Sequence, residues 1–167
     1  MSAQRPCARA FVALGANIGE PVQHLRAAVR DLDALPGTRV VARSSLYRSA
    51  PVGLLNQPDF INAVVAVDTT LAPLELLRQL LAIEAVHGRV RSIPNAPRTL
   101  DLDLLLHGDS VLGDAELTLP HPRMHQRAFV LLPLLEIAPD TRLPGLGLAR
   151  DFLDQVAGQD IHRFEAL

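Results

Sequence analysis

Ala96-Pro97-Arg98-Thr99-Leu100-Asp101-Leu102-Asp103-Leu104-Leu105-Leu106 reads as a short loop running into a buried strand. A strand alternates faces, so Leu100, Leu102 and Leu104 point one way and Asp101, Asp103 and Leu105 the other. The two aspartates are then neighbours on one face, roughly 6–7 Å apart at the backbone. Aspartate is a poor strand former, and two like charges in a half-buried place repel. A divalent cation offsets that cost. Mg²⁺ prefers carboxylate oxygens and keeps several waters that a phosphate ligand can replace. Arg98, three residues before Asp101, adds a planar cation suited to phosphate oxygens. The pattern predicts metal-assisted phosphoryl or pyrophosphoryl transfer. Asp-x-Asp alone describes a solvated edge strand equally well, with Arg98 as a surface partner. The run Leu102, Leu104, Leu105 and Leu106 favours a central strand, where a stray carboxylate is costly.

Size and composition narrow the classes. The chain of 167 residues suits one domain spanning 1–167. With 49% hydrophobic and 20% charged residues, it is globular rather than disordered. A net charge of −2 argues against nucleic acid as a partner, so phosphate binding must come from a local basic cluster. One cysteine, Cys7, excludes an intramolecular disulfide. No apolar run reaches the length of a membrane span. The apolar segment Ala10 to Leu14 is too short for a signal-peptide core. The expectation is a cytoplasmic monomer acting on small molecules.

Along the chain, Ala8 to Leu14 reads as a first strand. Gly15-Ala16-Asn17-Ile18-Gly19 is a turn, without the Lys-Ser/Thr ending of a P-loop. Pro21 suits the first position of a helix carrying Val22, Leu25, Ala28, Val29 and Leu32, which stops at Pro36-Gly37. Val40 to Tyr47 is a second strand. A long loop with two prolines follows, then a third strand from Phe60 to Val67 with Phe60, Asn62 and Val64 on one face. Thr70-Leu71-Ala72-Pro73 opens a second helix, which runs to Val86 with Gly88 as its stop. Glu84 near its C-terminus is unfavourable with the dipole, which predicts an arginine partner or a ligand, with a surface salt bridge as the plain alternative. Arg89, Arg91 and Arg98 precede the aspartate strand as a positive cluster.

After that strand come a small hairpin at Val111-Leu112 and Leu117–Leu119 and a polar stretch from Leu119 to Phe129. A helix then spans Ala128 to Ile137, interrupted by Pro133. His121 and His125 are four apart, but Pro120 and Pro122 oppose a helix there and no glutamate adjoins His121, so zinc is rejected. Pro139 to Leu148 reads as a turn-rich connection, Ala149 to Val156 as a short helix, and the tail carries no signal. The order is that of a ferredoxin-like α+β βαββαβ sandwich, with an added hairpin and C-terminal helices. Its two helices cover one face of the sheet and leave the other for loops or a ligand.

Five blocks now carry a resemblance: Leu14–Gly19, Gln57–Ala63, Gly88–Arg91, Pro97–Asp103 and Leu119–Met124. In this order they resemble the 6-hydroxymethyl-7,8-dihydropterin pyrophosphokinases of folate biosynthesis, over roughly residues 8 to 140. The resemblance implies transfer of pyrophosphate from ATP to the pterin hydroxymethyl group, with release of AMP. It implies that Asp101 and Asp103 hold two Mg²⁺ ions along the triphosphate, and that Arg89 and Arg98 act on the phosphates. By the same resemblance Glu84, Arg91, Arg98, His121 and Arg127 belong to the ATP site. Phe60 and Phe129 sandwich the pterin, Asn62 meets its polar edge, and Ser49, Ala50, Pro51 and Val52 supply further contacts. Pro94-Asn95-Ala96 stand where some members carry Arg-Trp-Gly, which removes an arginine and a tryptophan. The competing class is a non-catalytic ferredoxin-like module that binds a nucleotide or pterin as a regulator. A pure binder has no need of an aspartate pair beside phosphate-facing arginines. An RNA-binding module of the same fold would want aromatics on a basic sheet face, which this chain lacks.

Overall fold

A computed structural model describes residues 6–51, 56–88 and 99–167. β1 (Ala8–Ala16) is an interior strand of its sheet, and its continuous apolar run is buried on both faces, as such a place requires. β1 pairs antiparallel with β4 (Phe60–Thr69) on one side and with β5 (Asp101–His107) on the other. β2 (Thr38–Arg43) and β3 (Ser45–Ser49) both pair with the far side of β4. They replace the single second strand expected at Val40–Tyr47. The break is at Ser44, whose N–H donates to Val64 O and whose hydroxyl accepts the Val64 N–H, both at 2.9 Å. A side chain thus stands in for the backbone ladder at that point.

The tail, which carries no signal in sequence, forms β10 (Ile161–Ala166) and closes the sheet edge antiparallel to β3. Most of its residues are exposed, so no apolar alternation marks it. The resulting order β10-β3-β4-β1-β5 contains the expected ferredoxin-like arrangement. One expectation is corrected here: β5 lies at the sheet edge and is not central. Its leucines are buried because chain folds over the edge, where the His121 N–H donates to Leu105 O at 2.9 Å.

Two cores sandwich the sheet. α1 (Pro21–Asp33) and α2 (Pro73–Val86) both begin with proline. In α2 the Glu75 side chain also accepts the Ala72 N–H at 2.9 Å. α1 buries Leu25, Ala28, Val29 and Leu32, at the helical spacing read from sequence, and α2 buries Leu76, Leu80 and Ile83. They pack on Val12, Leu14, Ala63, Val65, Leu102 and Leu104. Gly88, at φ +78°, ends α2 as expected.

The opposite face is only partly open. Its inner half is covered by α3 (Ala128–Ile137), whose Val130, Leu131 and Leu134 pack on Phe11, Ala13, Val64 and Ala66. Pro133 does not interrupt this helix. A bulge between Phe11 and Val12 leaves Leu105 unpaired and turns both Leu105 and Leu106 into this second core. β6 (Leu112–Gly113) and β7 (Thr118–Leu119) form the expected hairpin. β8 (Arg142–Leu143) and β9 (Gly147–Leu148) form a second one inside the turn-rich connection. The last short helix is a 3₁₀ turn, Ala149–Phe152, followed by α4 (Leu153–Val156).

Candidate active site

The half of the second face that no described helix covers is built on one cross-strand row. Gly15 of β1 pairs with Asp101 of β5 and with Asn62 of β4, and Asn62 in turn pairs with Tyr47 of β3. Directly opposed residues share a face. Asp101 and Asn62 therefore stand on the same side of the sheet with Gly15 between them, roughly 10 Å apart at two strand spacings. The next row is Asp103, Ala13 and Val64, and there α3 begins to cover the sheet. Both aspartates are half-buried and alternate with the buried Leu102 and Leu104. The face assignment read from the sequence therefore holds.

Two neighbours fix this end. Glu84 is buried on α2, and its Oε2 accepts the backbone N–H of Leu102 at 2.7 Å. At that burial Glu84 is not the surface residue of the plain alternative. His121 follows the cis Leu119–Pro120 peptide. Burial, reinforced by Arg127 and Arg123 and opposed by Asp101, pushes its pKa down to about 4. The ring is then neutral near pH 7. Its Nδ1 accepts the Arg123 N–H at 3.2 Å, so its proton resides on Nε2, as a donor. Thr99 Oγ1, two residues before Asp101, is buried without a partner.

At the other end, buried Asn62 donates from Nδ2 to Ser49 Oγ at 2.8 Å, and at 3.4 Å to the carbonyls of Tyr47 and Phe60. Ser49 pairs with Phe60 across β3 and β4. Phe60 shares the face of Asn62 by alternation. Phe129, in the first turn of α3, packs against the second core on that same face. The Arg127 guanidinium lies over its ring, 5.4 Å from the centroid. Ala50 is exposed and Pro51 half-buried beyond the end of β3. Val52, Arg89, Arg91, Arg98 and the Pro94-Asn95-Ala96 departure lie outside the described residues.

Sequence reasoning overlooked Asn17 as a side chain with a task. It is buried, and its Nδ2 donates to Gln57 Oε1 at 2.8 Å and to Pro58 O at 3.0 Å. The turn after β1 thus holds the segment leading into Phe60. An asparagine inside a Gly-Ala-Asn-Ile-Gly turn was the available signal. A cavity of about 490 Å³ between β2 and the chain end is lined by Val40–Ser45, Glu136, Ala166 and Leu167, and by none of the expected site residues.

With this geometry in place, the family model for 7,8-dihydro-6-hydroxymethylpterin-pyrophosphokinase matches residues 11–139. A 2-amino-4-hydroxy-6-hydroxymethyldihydropteridine pyrophosphokinase of Pseudomonas aeruginosa is 53% identical over 136 residues, covering 81% of this chain and 84% of that protein. The enzyme of the same name from Haemophilus influenzae is 45% identical, covering 89% and 92%. Among solved structures, wild-type Plasmodium falciparum HPPK-DHPS with pteroate superposes with a TM-score of 0.71 at 15% identity, over 93% of this chain and 43% of that one. That likeness carries the fold.

Proposed function

We propose, for a chain that belongs to the 7,8-dihydro-6-hydroxymethylpterin-pyrophosphokinase family, that the row Asp101–Gly15–Asn62 is the axis of its reaction. The chain is a pyrophosphokinase of folate biosynthesis with ATP as co-substrate. The hydroxymethyl oxygen of the pterin attacks the β-phosphorus. The bond from that phosphorus to the α–β bridging oxygen breaks, AMP leaves, and the hydroxyl proton is lost to water.

The observation that carries this reading is the shared row: the carboxylate of Asp101 at one end, with Asp103 one row further in, a buried amide at the other, and one glycine between them. Asp101 and Asp103 would hold two Mg²⁺ ions. Two half-buried carboxylates on one strand face offer the hard oxygen donors this ion selects, and leave positions for water and phosphate. His121, held neutral, brings no competing positive charge. Bound there, the metal offsets triphosphate charge and makes the β-phosphorus more electrophilic.

The remaining steps belong to the chain's own groups. His121 donates from Nε2 to a phosphate oxygen. Arg127 reaches the triphosphate while its guanidinium stacks on Phe129, which ties the two halves of the site together. Arg89 and Arg98 stabilise charge on the transferred group, and Arg91 binds the nucleotide. Glu84 serves the ATP site through the strand it anchors. The pterin lies between Phe60 and Phe129, its polar edge on Asn62, with Ser49, Ala50, Pro51 and Val52 along its rim. Catalysis is then positioning and charge stabilisation.

The active unit is a monomer and a single domain over 1–167, because one chain supplies every group named here. It works in the cytoplasm. Among the described residues no helix is long and apolar enough to cross a membrane. The net charge of −2 supports small molecules, and not nucleic acid, as its partners. A regulatory binding module is not favoured, since its relatives carry enzyme names.

The test is AMP release from ATP with Mg²⁺ and 6-hydroxymethyl-7,8-dihydropterin. Asp101→Asn and Asp103→Asn, each folded, are expected to lose activity on the order of a hundredfold or more. Activity surviving both changes overturns the metal assignment.

A further inference from the structure

Gly15 occupies an unusual place for a glycine. It lies near the end of β1, paired on both sides, where the absence of a side chain weakens a strand. Backbone conformation does not require it, because Gly15 is absent from the glycines with positive φ. Among the described residues, steric crowding does not require it either. A Cβ built there meets Asn62 Oδ1 at 3.5 Å and Ile61 O at 3.9 Å, both ordinary contacts. The described part of the fold would accept alanine there.

The neighbours on the same face of β1 give the contrast. Phe11 and Ala13 carry side chains and are buried in the second core, while Gly15, one row further out, is half-exposed. Side-chain size thus falls to nothing where α3 stops covering the sheet. The bare position lies between the carboxylate of Asp101 and the amide of Asn62. With Asn62 Nδ2 committed to Ser49 Oγ, Oδ1 is the acceptor that faces the gap.

Resting on the functional reading above, we propose that Gly15 determines acceptor specificity. Its missing side chain admits the edge of the pterin that carries the hydroxymethyl group, between Asn62 and Asp101. A flat heterocycle hydrogen-bonded at Asn62 must extend its reacting carbon toward the phosphate end. The path between the two runs over Gly15. A methyl group at this position stands 3.5 Å from Oδ1, in the space that the donor edge of the heterocycle needs.

The test compares wild type with Gly15→Ala and Gly15→Val by thermal unfolding, ATP titration with Mg²⁺, pterin titration and AMP release. Both variants are expected to fold with a midpoint equal to or above that of wild type, and to bind ATP as wild type does. KM and Kd for the pterin are expected to rise at least tenfold in the alanine variant, and further in the valine variant. An alanine variant that binds pterin as wild type does overturns this inference alone. So does one that unfolds at markedly lower temperature, since the glycine then serves the fold. A wild-type chain that neither binds pterin nor releases AMP overturns the functional reading, and this inference with it.

Discussion

Glu84 Oε2 accepts the N–H of Leu102, the residue between Asp101 and Asp103, at 2.7 Å. A carboxylate at the end of α2 thereby sets the height of β5 beneath Asp101 and Asp103. The bond is buried, so its loss leaves a backbone donor without water. Glu84→Ala is expected to cost about 1–3 kcal/mol in urea unfolding. Glu84→Gln keeps an acceptor oxygen at the same reach and is expected to retain most of that stability. Equal losses in both variants would show that charge, and not the bond to Leu102, is what matters.

Asn17 couples the β1 turn to the entry of β4 through Gln57 and Pro58. Removing it unties the segment that delivers Phe60. Asn17→Ala is expected to speed amide exchange at residues 56–60 and to raise KM for the pterin severalfold, while the Kd for ATP stays put. Unchanged exchange in that segment contradicts the coupling.

His24 and His87 join the two helices on the first face. Their Nδ1 atoms are 2.8 Å apart, and His87 Nε2 lies 3.0 Å from Asp31 Oδ2. A carboxylate accepts, so His87 donates from Nε2; with both rings neutral, its Nδ1 accepts from the Nδ1–H of His24. Nitrogen NMR of the neutral rings should show the Nε2–H tautomer for His87 and the Nδ1–H tautomer for His24. A double-mutant cycle with alanine at both positions should return a coupling of about 1 kcal/mol. Additive single mutants would remove the bond from the account of helix packing.

Tyr47 and Glu136 give the stability of the protein a pH signature. The Tyr47 hydroxyl donates to Glu136 Oε1 at 2.7 Å. Burial, and then Glu136, raises the Tyr47 pKa from 10.0 to about 12. A folded-state pKa above the unfolded one gives stability that is complete below pH 10 and fades as pH climbs toward 12. Burial acts to raise the Glu136 pKa, but the Tyr47 hydroxyl, the N–H and hydroxyl of Ser45, and Arg163 together hold it below its usual value of 4.5. Its contribution is present above 4.5 and is lost as pH falls through the depressed folded value. Tyr47→Phe is expected to flatten the alkaline limb of a Tm-versus-pH curve, and Glu136→Gln the acid limb. Limbs that keep their slopes in these variants count against the linkage.

Much of this molecule is written in local spacing. Leu25, Ala28, Val29 and Leu32 announce α1, and Ala128 to Ile137 announces α3, because helical periodicity depends on neighbours three and four residues away. The facing of Asp101 and Asp103 away from Leu102 and Leu104 follows from strand alternation alone. Long-range partners leave no such mark. That β5 is an edge strand, that residues 161–166 complete the sheet, and that Ser44 splits a strand against Val64 depend on segments far apart in the chain. The row that brings Asp101 and Asn62 to either side of Gly15 is likewise a matter of register. A slip of one residue would turn one of them to the opposite face, and only the packing of both cores against both helix layers decides which register is adopted.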